Sequence, residues 1–529
     1  MSAAPRPGSP GPATVEAAPP NSAAPAPQDR RFFGHPRGLA TLFFTEMWER
    51  FSYYGMRAIL ILFMTAPVAA GGLGYDDAKA GAIYGIYTSL VYLLSLPGGW
   101  IADRILGQRR SVLLGGLGIM TGHICLAIHG LPTFYAGLAF VVLGTGLLKP
   151  NISVMVGQQY GPGDTRRDAG FSIFYMGINV GAFLAPLLCG WLAQSETFRR
   201  MLASKGIAPE RSWHFGFAMA AVGMFLGLVQ YLAGGRRLGE AGLRPLGSTN
   251  EEDRKAALRR LGLGAVGVVG LLLVLRGLAA AVGLEVTIGR ISASFGIFLG
   301  LLVLGFFGWL FLSGAWTPEE RKRLVVIAVL FGASTIFWSV FEQAGSTLNL
   351  FAERSTDNRI LGLPFPASWF QSVNAALIVL LAPVFAALWA WLGRRQPSSP
   401  AKFSLGLLFD GLGFLVLVGG VKLAQGGGRV SLLWLVSTYL LHTIGELCLS
   451  PVGLSAMTKL APARVAGLMM GVWFVSLSVG NYLGGQVAGL YAELPLPKLF
   501  GTIGATAVGA AVLLALLVRP IRRLLGNAT

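Results

Sequence analysis

The sequence predicts an all-α protein that crosses a membrane many times, and three observations support this fold class. Of its 529 residues, 54% are hydrophobic and 12% are charged, which is about half the charged fraction of a soluble domain. Apolar stretches of about 20 residues, long enough to cross a bilayer as helices, recur along the whole chain. Ionisable side chains within the first stretch share one helical face, as expected where a span lines a polar interior.

Polar stretches divide the chain into segments. Residues 1–36 are rich in Ala, Pro, Ser and Gly and have no apolar run of the secretory type, so we expect a disordered cytoplasmic tail. A basic linker at 235–260 follows the sixth span, and a second cytoplasmic tail covers 519–529. The fourteen expected spans lie near residues 38–66, 79–102, 110–129, 132–156, 169–194, 213–234, 261–283, 291–313, 322–348, 368–393, 402–424, 430–457, 464–491 and 498–518.

The positions of the basic residues predict the orientation in the membrane. The net charge is +18, and most Lys and Arg residues lie in segments that are cytoplasmic if the N-terminus is inside, which is the positive-inside pattern. The loop at 198–211 is an exception, because it is assigned outside and yet carries four basic residues. We therefore expect a multi-pass protein with both termini in the cytoplasm, and no nucleic-acid partner.

Neither a metal site nor an enzyme is indicated. The three cysteines, Cys125, Cys189 and Cys448, are scattered within apolar segments, where packing is their usual role. No nucleophile, base and orienting acid gather in any segment, and no phosphate-binding loop occurs. We expect no metal, no cofactor and no catalytic residue.

The first span carries the strongest functional signal. Residues 45–57 read TEMWERFSYYGMR. A charge at bilayer depth costs at least about 2.5–3.5 kcal/mol, so such residues usually face a bundle interior or a water-filled cavity and have partners. We expect a polar functional site; the alternative is an ion cluster that only locks helices together. Six side chains of this segment share one helical face: Glu46, Glu49, Arg50, Tyr53, Tyr54 and Arg57.

Three later spans also contain ionisable side chains. In the fourth span, Lys149 precedes a proline, and its alternative role is to snorkel towards the headgroups. In the ninth span, Glu342 is expected to be buried and to need a cationic partner or a proton. In the twelfth span, one helical face carries His442, Glu446 and Ser450 at i, i+4 and i+8.

Three motifs together resemble those of one family. The first span matches ExxERFxYYG, residues 144–153 match GTGxLKPNxS, and residues 99–110 match GxxxDRxxGxRR. This set is similar to that of the proton-dependent oligopeptide transporters, a branch of the major facilitator superfamily. In such proteins the third motif staples the cytoplasmic helix ends in the outward-facing state, which implies that role for Gly99, Asp103, Arg104, Gly107, Arg109 and Arg110.

The resemblance implies a major facilitator fold with fourteen transmembrane helices. Residues 37–234 would form the first six-helix bundle and residues 315–518 the second. A two-helix insertion at 261–314 is typical of bacterial members, and its few polar side chains predict a lipid-facing hairpin outside the transport path.

The resemblance also implies a peptide site between the bundles. Arg50 and Lys149 would receive the peptide carboxylate, and Glu446 the amine. Taken singly, the asparagines of this set could be helix glue, the tryptophans interface anchors and Tyr92 a packing residue. The implied substrate-binding residues are Arg50, Tyr54, Tyr92, Lys149, Asn179, Trp338, Asn374, Glu446, Ser450 and Trp473.

Proton coupling is implied in the same way. Glu342 would pair with Arg57, whereas Phe341 stands where many members have a second acidic residue. None of the five histidines lies in the second span, where animal members place a proton-binding histidine, so carboxylates would carry the proton. The implied coupling residues are Glu46, Glu49, Arg50, Lys149, Glu342 and Arg57.

These implications predict a proton-coupled symporter that imports di- and tripeptides by alternating access. We expect it in a bacterial inner membrane, where it would function as a monomer. Two alternatives remain: a relative that carries nitrate, an amine drug or another small solute, and a peptide sensor that binds without transporting.

Overall fold

A computed structural model provides the structure, which describes residues 29–161, 163–245, 247, 250–312, 314, 316–424 and 428–525. Most of the expected disordered tail at 1–36 therefore lies outside the described residues, as do residues 526–529. Within 29–36 the chain makes a turn, in which the backbone N–H of Arg37 donates to the Asp29 carboxylate at 3.1 Å.

The predicted all-α fold class is confirmed. The described residues contain seventeen α-helices: α1 (Arg37–Thr65), α2 (Asp77–Leu93), α3 (Ser95–Ile101), α4 (Gln108–Ala127), α5 (Leu131–Gly157), α6 (Arg167–Gln194), α7 (Glu196–Ser204), α8 (Ser212–Ala233), α9 (Glu251–Ala281), α10 (Ile288–Leu312), α11 (Pro318–Phe341), α12 (Thr347–Arg354), α13 (Gln371–Leu392), α14 (Ser399–Leu423), α15 (Leu432–Leu460), α16 (Met469–Gly489) and α17 (Leu496–Leu525).

Four two-residue strands form two small sheets between and beside these helices. The strand β1 (Thr356–Asp357) pairs in parallel with β4 (Val430–Ser431). The strand β2 (Arg359–Ile360) pairs antiparallel with β3 (Leu363–Pro364). Both sheets lie beyond the end of α12, on the side of the molecule that we expect to face outwards.

Twelve helical segments of the described residues are long and apolar enough to cross a membrane. The helices α1 and α16 are not among them, although they have 29 and 21 residues. The charged stripe reduces the apolar character of α1, and glycine, serine, asparagine and glutamine interrupt α16. The predicted count of fourteen spans therefore stays a prediction.

The helices form two halves, as in a major facilitator fold. In the first half, α1 packs on α6 and α8, and α4 packs on α5. In the second half, α14 packs on α15 and α17, and α11 packs on α16. The halves meet where α2 contacts α16, where α6 contacts α13 and where α1 contacts α12.

Two long segments are interrupted near the middle of the molecule. The break between α2 and α3 at Leu94 precedes Pro97, which lacks the N–H that would bond the carbonyl four residues earlier. The segment of α11 ends at Phe341, and a turn over Glu342–Gly345 leads into α12. This second break leaves backbone carbonyls of the turn free to bond with another helix.

The insertion α9–α10 lies at the edge of the molecule. The helix α9 begins about ten residues before the predicted span, because the Asn250 side chain accepts the Asp253 N–H at 2.8 Å and acidic residues fill the first turn. The predicted linker boundary at residue 260 thus falls inside a helix. In contrast to α9, which is almost wholly exposed, α10 lies over α2 and α16, where the Tyr482 hydroxyl donates to the Ser292 carbonyl at 2.8 Å.

Glycines allow α2 and α16 to pack with their backbones in contact. A Cβ at Gly485 would lie 2.3 Å from Cα of Gly85, and a Cβ at Gly81 would lie 2.5 Å from the Gly485 carbonyl oxygen. Backbone atoms cannot give way as the end of a side chain can. This contact therefore holds the two halves together only while these positions lack side chains.

Gly485→Ala should lower the melting temperature of the purified protein, because the helices must separate to admit the methyl group. Overpacking of this kind costs about 1–3 kcal/mol. Gly509→Ala is the matched control, since nothing lies within 4 Å of its added Cβ on α17. A melting temperature for Gly485→Ala equal to or above that of the control would contradict the close contact.

Candidate functional site

A buried ion cluster forms one end of the site on α1. Nε of Arg50 lies 3.0 Å from Oε1 of Glu46, which the i, i+4 spacing brings within reach. The same nitrogen contacts Oε2 of Glu49. All three residues are at most 3% exposed. Two carboxylates here face one guanidinium, so the cluster requires a further cation or a proton to be neutral.

Lys149 is the second cation near this cluster. It lies on α5, and its Nζ is 3.8 Å from the ring centroid of the buried Tyr92, a cation–π contact. Among the described residues, no carboxylate oxygen lies within 4.0 Å of this ammonium group. The contact with Tyr92 directs Lys149 towards α2 and the interior of the first half.

Arg57 joins the two halves at the other end of the stripe. Its Nη2 lies 2.5 Å from Oε2 of Glu342 and donates to the Glu342 backbone carbonyl at 3.3 Å, while its Nε donates to the Tyr84 hydroxyl at 2.8 Å. The helix break after Phe341 makes that carbonyl available. Gly345 is required beside the pair, because a Cβ there would lie 1.9 Å from the Tyr84 oxygen. The structure thus brings together the predicted partners Arg57 and Glu342.

A cavity lies between the halves, next to this ion pair. Both halves contribute to its wall, which includes six tyrosine, tryptophan and phenylalanine side chains. Eight of the residues predicted to act in binding or coupling line the cavity: Tyr54, Arg57, Tyr92, Asn179, Trp338, Glu342, Asn374 and Glu446.

Glu446 is the acidic group of the cavity that no cation neutralises. Its Oε2 accepts a hydrogen bond from Nδ2 of Asn374 at 3.1 Å, and the same nitrogen donates to Oγ1 of Thr443 at 3.0 Å. Within the described part of the chain, no Lys, Arg or His nitrogen lies within 4.0 Å of this carboxylate. A buried carboxylate in this position is suited to bind an ammonium group of a ligand.

Four predicted binding residues do not line the cavity. Arg50 is held by its two glutamates, and Lys149 reaches the cavity wall only through Tyr92. The Trp473 ring lies 6.3 Å from that of Trp338, and its indole fills the space beside Gly453, where an added Cβ would be 2.1 Å away. The fourth, Ser450, is half-buried on α15.

Sequence analysis did not assign several residues of the wall to the site. The Tyr439 side chain lies one turn before the stripe of His442 and Glu446, so extending that stripe by one helical repeat would have found it. Gln371 closes the outer end by donating to the Ala344 carbonyl at 2.5 Å. Tyr175 and Phe341 also line the wall without having been predicted to act in binding or coupling, and His442 was named only as a member of the helical face that carries Glu446.

A second ion pair between the halves was also missed. Arg354 at the end of α12 donates two hydrogen bonds of 2.7 Å, from Nη1 and Nη2, to the two carboxylate oxygens of Asp77, the first residue of α2. The Asp77 side chain is 5% exposed and that of Arg354 is 37% exposed. Together with the Arg57 pair, it holds the halves together at the end where α1 finishes and α2 begins.

The motif loop contacts the segment that follows α8 in this conformation. Arg109 donates from Nε to the Ala241 carbonyl at 2.7 Å, and Gln108 donates to the Asp103 carboxylate at 2.8 Å. Gly107 has a φ of 76°, which favours glycine. Within the described residues, neither Asp103 nor Arg104 forms an ion pair with a second helix, so the implied staple is not made. The resemblance places that staple in the outward-facing state, and here the outer ends are joined.

Comparison with known proteins identifies close relatives over nearly the whole chain. The sequence model of the POT family matches residues 109–245 and 308–504. The peptide transporter YePEPT of Yersinia enterocolitica is 42% identical over 519 residues, which is 95% of this chain and 97% of the relative. A di-/tripeptide transporter of Lactococcus lactis is 38% identical over 508 residues, covering 94% of this chain and 98% of the relative.

Solved structures agree with the sequence comparison. The crystal structure of a peptide transporter POT in complex with sulfate has a TM-score of 0.85 and 45% identity, and the match covers 94% of this chain and 97% of that one. A POT family transporter crystallised with 5-aminolevulinic acid has a TM-score of 0.83 and 36% identity, with 93% and 98% covered.

Charge reversal tests the ion pair between Asp77 and Arg354. Asp77→Arg alone and Arg354→Asp alone should each lower the melting temperature, because each places like charges in contact between the halves. The double variant should recover most of the loss, with a coupling energy of about 0.5–3 kcal/mol.

The exposed pair of Glu251 and Lys255 on α9 provides the control, since its side chains are 77% and 73% exposed. Exchanging these two charges should change stability little. If the double variant lost as much stability as Asp77→Arg and Arg354→Asp lose together, the two residues would be independent. That result would show that the pair does not hold the halves together.

Proposed function

The chain belongs to the POT family, and from this membership we propose that it is a proton-coupled symporter that imports di- and tripeptides by alternating access. Its relatives are transporters and not enzymes. Several of them are named as peptide or di-/tripeptide transporters, and proton coupling is expected for the family. We expect the protein to act as a monomer in a bacterial inner membrane, with both termini in the cytoplasm.

The observation that carries this proposal is the unneutralised carboxylate of Glu446 at the cavity. A peptide has an ammonium group at one end, and Glu446 with its Asn374 hydrogen bond offers the anionic partner. The amide of Asn179, across the cavity on the first half, donates one N–H to the Tyr175 carbonyl at 3.0 Å, and its oxygen and second N–H can bond with the peptide backbone. The amine would therefore bind to the second half.

The cationic groups on the first half would bind the peptide carboxylate. Arg50 is occupied by Glu46 and Glu49 in the described conformation, and Lys149 by Tyr92. Protonation of one glutamate would leave Arg50 and Lys149 with excess positive charge, which a carboxylate can neutralise. A peptide bound in this way touches both halves, so it can favour the closed states of the cycle by its different contacts in each.

The aromatic wall accounts for tolerance of different side chains. Tyr54, Tyr175, Trp338, Phe341 and Tyr439 present apolar faces that can pack against many side chains without matching a particular polar group. Ligand pockets of this composition obtain their orientation from a few polar groups. Here the two charged ends of the peptide would supply the orientation, and the aromatic wall would accept its side chains.

The outer ion pair offers a mechanism for proton coupling. When Glu342 is ionised, Arg57 binds it and joins the halves. When Glu342 accepts a proton, the attraction is lost and the remaining buried arginine favours opening towards water. Proton uptake from the outer side would thus open the outer gate, and the proton would leave with the peptide on the inner side.

Two alternatives remain within this framework. A transporter of another small solute would have the same fold, and one relative has been crystallised with 5-aminolevulinic acid. Glu446 in the second half and Arg50 in the ion cluster of α1 favour a ligand that bears both an amine and a carboxylate. A sensor would bind peptide but would not exchange it across the membrane, so transport measurements separate it from the proposed symporter.

Uptake of labelled dialanine into proteoliposomes tests the proposal. With an inward proton gradient, the wild type should accumulate the dipeptide above the outside concentration, and unlabelled di- and tripeptides should compete. Glu446→Gln should lose most of this uptake, because a neutral amide cannot pair with the ammonium group.

Glu285→Gln is the control, since Glu285 is an exposed residue between α9 and α10, away from the cavity. It should transport as the wild type does. Absence of dipeptide uptake by folded wild-type protein would refute the proposed substrate, whereas binding without exchange would favour a sensor.

Glu342→Gln should separate exchange from accumulation. Glutamine resembles the protonated side chain and cannot release a proton, so exchange of labelled for unlabelled dipeptide at equal pH should continue. Accumulation driven by a proton gradient should fall about tenfold for each pH unit of the gradient, because one coupled proton is lost. Normal gradient-driven accumulation in this variant would contradict the role of Glu342.

A further inference from the structure

Asp410 is a buried acid that the mechanism above does not use. It lies on α14, is 0% exposed, and neither carboxyl oxygen has a hydrogen-bond partner among the described residues. An isolated carboxylate in such surroundings costs several kcal/mol, and a proton removes that cost.

This acid lies directly behind the part of α15 that forms the cavity wall. Its Oδ1 is 2.9 Å from the position that a Cβ at Gly445 would occupy, so the carboxyl group abuts the α15 backbone at the residue before Glu446. Nε2 of His442 donates to the Asp410 backbone carbonyl at 3.1 Å and ties the same two turns together. Only the backbone of α15 thus separates Asp410 from Glu446, the residue proposed to bind the peptide amine.

The charged groups around Asp410 are few. From α15, the titratable residues on the adjoining turns are His442, Glu446 and Cys448. The helices α11 and α17 and the strand β4 also pack on α14. The surroundings of the Asp410 carboxyl group therefore depend on how α15 lies against α14, and Glu446 follows the contact residue Gly445 on that helix.

We propose that Asp410 is a proton-binding residue of the transport cycle, coupled to Glu446 through the turn of α15 at Gly445. When Glu446 is ionised and holds a peptide amine, Asp410 keeps its proton, because two neighbouring buried carboxyl groups resist ionising together. When α15 moves away from α14 and water reaches the site, the O–H bond of Asp410 breaks and the proton passes to water, leaving a carboxylate. It is protonated again when the outer side opens.

The helix α15 can make such a movement. Pro451 lies inside it and has no N–H to bond the carbonyl of Leu447, so the helix can bend one turn beyond Glu446. A bend there would alter the contact at Gly445 without unfolding the helix. This inference rests on the proposed symport function and adds a proton to that of Glu342.

Asp410→Asn tests the inference in reconstituted protein. Dipeptide exchange at equal pH should be retained, since asparagine preserves the shape and neutrality of the protonated acid. The proton-to-peptide ratio, measured from peptide accumulation at several pH gradients, should fall by one. Under a gradient of one pH unit, the limiting accumulation should fall about tenfold. Asp357→Asn, at an exposed outer position, is the control that should keep the wild-type ratio.

An unchanged ratio in Asp410→Asn would overturn the inference and make Asp410 a permanently neutral packing residue. A wild-type ratio of one proton per dipeptide would also overturn it, because the Glu342 proton already accounts for one. If Asp410→Asn does not fold, Asp410→Ser provides the same comparison with a smaller neutral side chain. Failure of the wild type to exchange dipeptide would refute the proposed function itself. Normal exchange together with an unchanged proton-to-peptide ratio in Asp410→Asn would refute only the role of Asp410.

Discussion

The cost of placing charges in a low-dielectric interior governs this structure. Each buried ion at membrane depth must find a counter-charge, a hydrogen bond or a proton. Arg57 pairs with Glu342 across the interface between the halves. The contact that neutralises the buried arginine therefore also stabilises the conformation in which the halves are joined. Glu446 has an amide partner but no cation among the described residues, and that imbalance makes it available to a ligand.

The same requirement explains why the halves are joined at one end. Arg57 with Glu342 and Arg354 with Asp77 pair across the interface near the finish of α1 and the start of α2. These pairs depend on charge and can be broken by protonation or by movement, whereas the glycine contact of α2 with α16 depends on shape and not on charge. The two kinds of contact therefore respond differently to a proton.

Helical periodicity allowed the helical class and the charged stripe to be predicted, because it places i, i+4 residues together whatever surrounds them. Eight residues of the cavity wall were also predicted, most of them from the resemblance to the family. The sequence did not reveal the pairing of Asp77 with Arg354, since the two are distant in sequence and each stands at a helix end where charges are common. It also did not reveal that Arg50 would lie outside the cavity wall, because that depends on the conformation adopted. The early start of α9 was missed for another reason. The apolar stretch from which the span was predicted begins at residue 261, whereas the helix begins at Glu251 after its cap, Asn250.

Contacts with both halves flank the first helix of the insertion, α9. Before α9, the Gln158 side chain of the first half accepts the Gly242 N–H at 2.7 Å, and Arg109 donates to the Ala241 carbonyl at 2.7 Å. After α9, near the start of α10, the Gln486 amide on α16 of the second half donates to the Ser292 hydroxyl at 2.9 Å. In mechanical terms α9 is a tether between the halves: while these contacts are kept, relative movement of the halves has to be taken up by α9 and the loops on either side of it.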